Sequence, residues 1–394
     1  MSILLNSNIT TQTAQSVKDA MSEFKDRAID FNIKDKENQK ALKAYKDAID
    51  KIYQSINATQ DDSIILTSSV NESISQIFLT AYLKYILTGQ KNSIIISQRA
   101  TTAELRVTAF LESQGCRVYR VPVTIDGTLD IDILKDYVNS KTALISVALV
   151  DEESGVIQPI EEISKICSAV DAPLLVNAKD AMGRIGVDVQ RHKVSYLTFC
   201  SDNIEGPKDI AALYIAKNAL EIMPTVFGND SEQGGLRAMP KDIAKVIGFG
   251  KALEEAVDAL DFEIEDVREL RDELEEEVLK IDGVYSLAPW ALRVPTISIF
   301  AFENIHASML LETLAQKGVS AYSFSIFNNR NFQRVSLVEI ANLDLSLRHS
   351  IVGFSLSSTT TKEDIEQTIK ALKEAVKELR AVSLQCKESK WAKS

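Results

Sequence analysis

The feature that most constrains this chain is a regular alternation of short β-branched runs with helical patterns between residues 62 and 217. Seven runs rich in Ile, Val, Leu and Thr have the length of strands, and periodic apolar segments separate most of them. Strand, helix, strand at this spacing is typical of a parallel sheet covered by helices on both faces. The predicted strands are 63–69, 92–98, 116–123, 142–150, 172–178, 194–201 and 209–217, and the helical segments include 72–87, 102–115 and 160–171.

After Pro240 the pattern changes to long helices and isolated strands. An acidic helix is predicted over 245–281, and the strand-like runs 296–302 and 350–356 alternate with helices over 306–317 and 362–382. We therefore predict an α/β protein with a mostly parallel central sheet and a smaller α+β domain. The expected limits are an N-terminal segment packing with the small domain at 1–12, a large domain at 13–245 and the small domain at 246–394.

Composition excludes several classes of protein. A net charge of -12 disfavours a nucleic-acid partner. No apolar stretch is long enough to span a membrane, and the first residues lack the pattern of a signal peptide. Four cysteines without a CxxC pair argue against a zinc site or a disulfide framework. We expect a cytoplasmic protein with no metal site, whose three histidines are structural or on the surface.

Six segments resemble, in order and spacing, the cysteine desulfurases and their relatives among the class V, fold-type I enzymes that use pyridoxal phosphate (PLP). The most specific match is EESGVIQPIEEISKIC at 152–167. The resemblance implies the PLP-transferase fold type I, with the small α+β domain at the C-terminus. The other segments are LLVNAKDAMGRIGVDV at 174–189, LTFCSDNIEGPKDIAALYI at 197–215, ILLNSNITT at 3–11, LTSSVNES at 66–73 and FSLSSTTTKEDIEQTI at 354–369.

The resemblance also places the family's cofactor residues on this chain, and several have changed. The lysine that holds PLP as a Schiff base falls on Asn203, which cannot form that bond. The ring-stacking histidine falls on Thr101, and the carboxylate under the pyridine nitrogen falls on Asn177. The glutamine that meets the ring oxygen falls on Asp180, whose charge would repel that oxygen. The vestigial pocket is thus predicted from Ser69, Val70 and Asn71 of the phosphate loop together with Asp151, Asn177, Asp180, Ser201, Asp202 and Asn203.

Residues that would handle a substrate have changed as well. The two arginines expected near the C-terminal motif fall on Gly353 and Ser358. The segment 318–332, where the family carries its persulfide cysteine on a mobile loop, contains no Cys. Arg237, in contrast, corresponds to a family arginine. The resemblance therefore implies a desulfurase fold without the usual amine, carboxylate clamp or thiol.

Three hypotheses follow from these positions. The first is a pseudoenzyme with no catalytic residue and no cofactor, acting as a homodimer or beside an active desulfurase paralogue or iron–sulfur assembly protein. The second is a PLP-dependent desulfurase or aminotransferase that uses Lys179 or Lys208, or holds PLP without a covalent bond. The third is a former cofactor cleft that binds a cation, made acidic by Asp151, Glu152, Asp180 and Asp202 if these converge.

Overall fold

The computed structural model describes residues 3–25, 34–228, 232–238, 242–262, 264–324 and 334–382. A seven-stranded sheet forms the first part of the chain, with the strand order β2-β8-β7-β6-β5-β3-β4. Strands β3 to β7 run parallel, whereas β8 is antiparallel to both β2 and β7. The strands are β2 (Ser63–Thr67), β3 (Ser93–Ser97), β4 (Arg117–Val121), β5 (Thr142–Ala148), β6 (Leu174–Asn177), β7 (Tyr196–Cys200) and β8 (Ala211–Ile215). The predicted α/β class with a mostly parallel sheet is confirmed.

Helices cover both faces of this sheet. Because successive side chains of a strand point to opposite faces, Ile95 of β3 joins one apolar cluster, while Ile94 and Ile96 join the other. The helices of this part are α1 (Gln15–Ser22), α2 (Lys36–Ser55), α3 (Val70–Thr80), α4 (Thr102–Ser113), α5 (Ile131–Tyr137), α6 (Ile160–Ala169) and α7 (Val189–His192). Helix α3 continues into a π-helical turn over Ala81–Ile86, which completes the segment predicted at 72–87.

The predicted helix 245–281 is instead two helices, α8 (Ile243–Phe262) and α9 (Ile264–Leu279). The two halves bury their apolar residues in different places. Phe249 and Leu253 of α8 lie in the core of the large sheet, whereas Leu274 and Val278 of α9 lie in a second core. A single straight helix could not serve both cores, and the hydrophobic pattern alone does not reveal which core each half faces.

The second core belongs to the C-terminal part of the chain, where β12, β10 and β9 form an antiparallel sheet. Strand β1 pairs in parallel with β11, and Leu5 is buried in this second core. The proposed domain limits remain a prediction. The elements are β1 (Ile3–Leu4), β9 (Val284–Ser286), β10 (Ile297–Phe302), α10 (Ala307–Gln316), β11 (Val319–Ser320), α11 (Leu337–Ile340), β12 (Ile351–Ser355) and α12 (Lys362–Val382).

The carboxyl ends of the parallel strands lie on one edge of the large sheet, which is where ligands bind in such folds. The chain segments that follow β3, β5, β6 and β7 there contain most of the residues predicted for the cofactor. Across the described ranges, no helix combines the length and the apolar character needed to cross a membrane.

Candidate active site

Asn203 lies in the tight turn that follows β7 and is 6% exposed. Its Nδ2 donates a hydrogen bond to the carbonyl oxygen of Lys179 at 2.7 Å, and the Cys200 thiol donates to its Oδ1 at 3.8 Å. The turn requires glycine at position 206, because a β-carbon there would lie 2.5 Å from the Cβ of Ser201. The turn therefore places an amide, with both of its ends bonded, where the resemblance expects an amine.

Lys179 provides an amine close to that turn. It follows β6, and its backbone N–H donates to Oδ1 of Asn177 at 3.0 Å, which fixes the start of the loop. Its Nζ donates to the carbonyl oxygen of Asn8 at 3.3 Å and lies 3.9 Å from Oδ2 of Asp180. Burial by itself would lower the pKa of Lys179, but the carboxylates of Asp180 and Glu152 raise it above its ordinary value. The amine is thus held charged within the cleft.

Lys208, the other candidate lysine, has a different environment. Its Nζ donates to the carbonyl oxygens of Thr11 at 2.6 Å and Asp202 at 2.8 Å, so it ties the N-terminal segment to the turn after β7. Burial lowers the pKa of Lys208. Ser201 is also structural, since its hydroxyl donates to the carbonyl oxygen of Pro207. Both residues stabilise the turn that holds Asn203.

A buried ionic cluster occupies the end of β5. Asp151 accepts two hydrogen bonds from Arg99, at 2.8 and 3.0 Å, and Arg99 also bonds Glu153 at 3.0 Å. Arg334 bonds Glu152 at 2.8 Å and lies 3.6 Å from Asp151. Burial would raise the pKa of Asp151, but Arg99 and Arg334 hold it far below its usual range. These arginines were not among the residues predicted from the sequence.

Three of the four carboxylates expected to make the cleft acidic are paired with cations, whereas Oδ1 of Asp202, the fourth, has no hydrogen-bond partner among the described residues. Asp151 and Glu152 face arginines, and Asp180 faces Arg184 at 3.2 Å as well as Lys179. Among the described residues there is no group of three or more His, Cys, Asp or Glu side chains placed to hold a metal ion. The geometry gives no support to a cation held by these carboxylates.

The predicted phosphate loop leads into the N-terminus of α3. Ser69 is the N-cap, and its hydroxyl accepts from the N–H of Glu72 at 3.3 Å. The Glu72 carboxylate accepts from the N–H and hydroxyl of Ser68 and pairs with Arg237 at 2.6 Å. Val70 is buried and Asn71 is exposed. The free N–H groups of a first helical turn can bind a phosphate, so this end of α3 keeps the chemistry that a phosphate group needs.

Thr101 begins a helix and has no aromatic face to offer. Its hydroxyl and backbone N–H both donate to the carboxylate of Glu104, at 2.8 and 2.7 Å, which forms a capping box at the start of α4. Ser146 donates to the other oxygen of that carboxylate at 2.5 Å. The residue at the position of the stacking histidine thus fixes α4 to β5.

Neither position expected to hold a substrate arginine offers a cation, and other groups occupy the space beside each. A β-carbon on Gly353 would lie 2.2 Å from Cζ of Tyr322, so the aromatic ring takes the space beside this backbone. The Tyr322 hydroxyl donates to the carbonyl oxygen of Glu153 at 2.7 Å. Ser358 donates to the Glu205 carboxylate at 3.2 Å. Most of the segment predicted to correspond to the persulfide loop, residues 325–332, lies outside the described residues.

Comparisons with known proteins identify relatives over nearly the whole chain. The model of the family described as aminotransferase class-V matches residues 3–368. Cysteine desulfurase IscS of Dictyoglomus turgidum is 33% identical over 341 residues, which cover 86% of this chain and 85% of that protein. Cysteine desulfurase NifS of Azotobacter vinelandii is 27% identical over 390 residues, which cover 97% and 94%.

Solved structures agree on the fold. A NifS-like protein superposes with a TM-score of 0.87 at 23% identity, covering 96% of this chain and all (100%) of its own. The NifS-like protein from Rickettsia africae gives a TM-score of 0.84 at 22% identity, with 96% and 100% covered. At these identities the likeness concerns the fold, and it confirms the PLP-transferase fold type I expected from the motifs.

The comparisons overturn one expectation, which is that the chain has no cofactor. Its relatives are cysteine desulfurases, enzymes that depend on PLP, and they point to PLP rather than to an empty cleft. The described residues fit this cofactor at two points, the N-terminus of α3 for a phosphate and the amine of Lys179 for a covalent bond. The expectation rested on the substituted positions 101, 177, 180 and 203, and it is wrong because the relatives that match nearly the whole chain depend on PLP. With a family match over residues 3–368 and a 33% identical relative, the chain belongs to the aminotransferase class-V family.

Proposed function

We propose that this chain is a PLP-dependent enzyme of the class V family in which Lys179, not residue 203, supplies the amine that holds the cofactor. One observation carries the proposal: Asn203 donates its hydrogen bond to the carbonyl oxygen of Lys179 at 2.7 Å. This bond fixes the backbone of Lys179 against the turn in which the family carries its lysine and this chain carries Asn203. The Lys179 amine lies in the same cleft, with Asp180 and Asn8 as neighbours.

The chain's own residues divide the remaining tasks. Bound PLP supplies an electron sink for reactions at the carbon atoms next to a substrate amine. The first turn of α3 would hold the phosphate through its N–H groups. Asn177 offers a neutral amide where the family has a carboxylate, so it cannot keep the pyridine nitrogen protonated by an ion pair. Asp180 keeps the Lys179 amine charged and oriented until a proton is removed.

The reaction class that suits these residues is transfer of an amino group rather than formation of a persulfide. Residues 318–332 contain no cysteine, and Cys116, Cys167 and Cys200 are buried thiols. Burial raises the pKa of Cys200 to about 12, so this thiol is protonated at neutral pH and is a poor nucleophile. Sulfur release from cysteine would therefore need another thiol.

The test is a titration of the purified protein with PLP, followed by visible absorbance. The proposal predicts an absorbance band at a longer wavelength than that of free PLP in the wild type and in Lys208→Arg. This band should be absent from Lys179→Arg. Lys208→Arg is a matched control because Lys208 is also a partly buried lysine near the turn after β7. A band that survives in Lys179→Arg would reject Lys179 as the amine.

A second candidate is favoured by the lack of an arginine at both expected substrate positions, where Tyr322 packs against Gly353 and Ser358 bonds Glu205. In this candidate the chain does not turn over cysteine and acts through its surface, as a cytoplasmic homodimer or as the partner of an active desulfurase or an iron–sulfur assembly protein. Its test is association. A purified chain that is monomeric in sedimentation and binds no purified desulfurase would remove this candidate.

A further inference from the structure

A cavity of about 440 Å³ lies between helices α8 and α9, the turn after β7 and the residues that follow β12. Asn203 lines this cavity, whereas the phosphate loop and the Arg99 cluster do not. Its apolar wall includes Ala252, Ala256 and Val267, and the rest of the lining contains many polar and charged side chains. The cavity meets the cofactor site at the turn that contains Asn203, and it also contains Ser358, one of the two positions expected to hold a substrate arginine.

Two buried polar side chains on the cavity wall have unused hydrogen-bonding atoms. Arg184 and Thr296 are each 4% exposed. Nη1 of Arg184 bonds the Asp180 carboxylate at 3.2 Å, but within the described part of the chain its Nη2 has no hydrogen-bond partner, and neither has Oγ1 of Thr296. Leaving such atoms unpaired in a protein interior is unfavourable. A guanidinium N–H and a hydroxyl together suit a carboxylate, which accepts from both.

The outer part of the cavity carries the opposite charge. Glu205 and Glu255 line it and are partly buried, and Asp258 lines it and is exposed. The cationic side chain of the lining, Arg184, is therefore buried, whereas the carboxylates are closer to solvent. This separation would orient a ligand that has a negative charge at one end and a positive charge at the other.

We propose that this cavity binds a small zwitterion whose carboxylate meets Arg184 and Thr296 and whose amine, at the far end of an apolar chain, meets Glu205, Glu255 and Asp258. An α-amino acid whose only amine is the α-amine does not fit this description, because its two charged groups are attached to one carbon. The proposal is independent of the cofactor and of the reaction proposed above.

The experiment is isothermal titration calorimetry and thermal denaturation of the purified full chain with three probes of equal chain length. Saturable binding is expected for ε-aminocaproate, weaker binding for caproate, which lacks the amine, and none for hexylamine, which lacks the carboxylate. Because neither readout uses PLP, this test can fail while the proposed function stands, and the reverse also holds.

Variants assign the binding to the cavity. Arg184→Gln is expected to abolish the binding of ε-aminocaproate. Thr296→Val, which keeps the side-chain shape, should weaken it by roughly 2- to 10-fold, the loss of one hydrogen bond. Arg191→Gln is the control, since Arg191 is an exposed arginine paired with Glu161. No saturable binding of ε-aminocaproate, equal affinity for caproate, or wild-type affinity in Thr296→Val would each overturn the proposal.

Discussion

The side-chain amide of Asn203 donates to the backbone carbonyl of Lys179 at 2.7 Å, which joins the turn after β7 to the loop after β6. The bond crosses between the two segments in which the resemblance places the family's lysine and its pyridine carboxylate. We therefore expect Asn203 to position Lys179 through this bond.

Loss of this bond should destabilise the protein. Asn203→Ala leaves the partly buried carbonyl of Lys179 without its donor, which costs about 1–3 kcal/mol of unfolding free energy. Urea unfolding followed by circular dichroism measures this loss. Gln114→Ala removes an exposed amide and should change stability by less than about 0.5 kcal/mol. Equal effects of the two substitutions would show that the Asn203 bond contributes nothing.

The cluster around Arg99 should make the free energy of unfolding depend on pH in the acidic range. The folded protein holds the pKa of Asp151 below its ordinary value of 3.8, so its contribution is present above that pH and is lost as the pH falls below it. Asp151→Asn removes this titration and leaves Arg99 partly unpaired, at a cost of about 3–5 kcal/mol at neutral pH. Urea unfolding at a series of pH values should therefore give a steeper acid dependence for the wild type than for Asp151→Asn.

Gly353 and Tyr322 should be coupled, because a β-carbon at Gly353 overlaps the tyrosine ring. Gly353→Ala alone is expected to lower the free energy of unfolding by about 3 kcal/mol, at the upper end of the range for overpacking. In a Tyr322→Ala background the same change should cost less than about 1 kcal/mol, since the ring is gone. A double-mutant cycle measures the difference. Additive effects would contradict the packing described here.

Covalent capture of PLP by Lys179 should be faster at higher pH. The amine reacts with an aldehyde only when uncharged, and Asp180 helps to keep the pKa of Lys179 above its ordinary value. Asp180→Asn removes that charge and should move the rate profile to lower pH, as followed by borohydride trapping at timed intervals. Asp136→Asn, which changes an exposed carboxylate, should leave the profile in place.

The fold was predictable from the sequence because its strands are local patterns. The seven runs between 63 and 217 correspond to β2 through β8, and the substituted positions Asn177 and Asn203 follow from flanks that match without gaps. Packing partners from distant segments were not predictable in this way. Arg99 and Asp151 are 52 residues apart in sequence, and the Tyr322 hydroxyl bonds the carbonyl of Glu153 across 169 residues.

The same limit explains some of the errors about the cleft. Counting Asp151, Glu152, Asp180 and Asp202 as an acidic pocket overlooked Arg334, which is 182 residues from Glu152 in sequence. It also overlooked Arg184, which is only four residues after Asp180 and could have been paired with it from the sequence. The expectation of an absent cofactor rested on the residues at 101, 177, 180 and 203, and the sequence does not show that the Asn203 amide bonds the backbone carbonyl of Lys179 at 2.7 Å. A search for arginines that follow predicted strands would have found Arg99, which comes two residues after β3.

The assignment of the cofactor amine to Lys179 is tested most directly by mass spectrometry of the protein after incubation with PLP and reduction with borohydride. One pyridoxyl group per chain is expected on the peptide that contains Lys179, present in the wild type and in Lys208→Arg and absent from Lys179→Arg. An unmodified wild-type chain, or a pyridoxyl group on any other lysine, would contradict it.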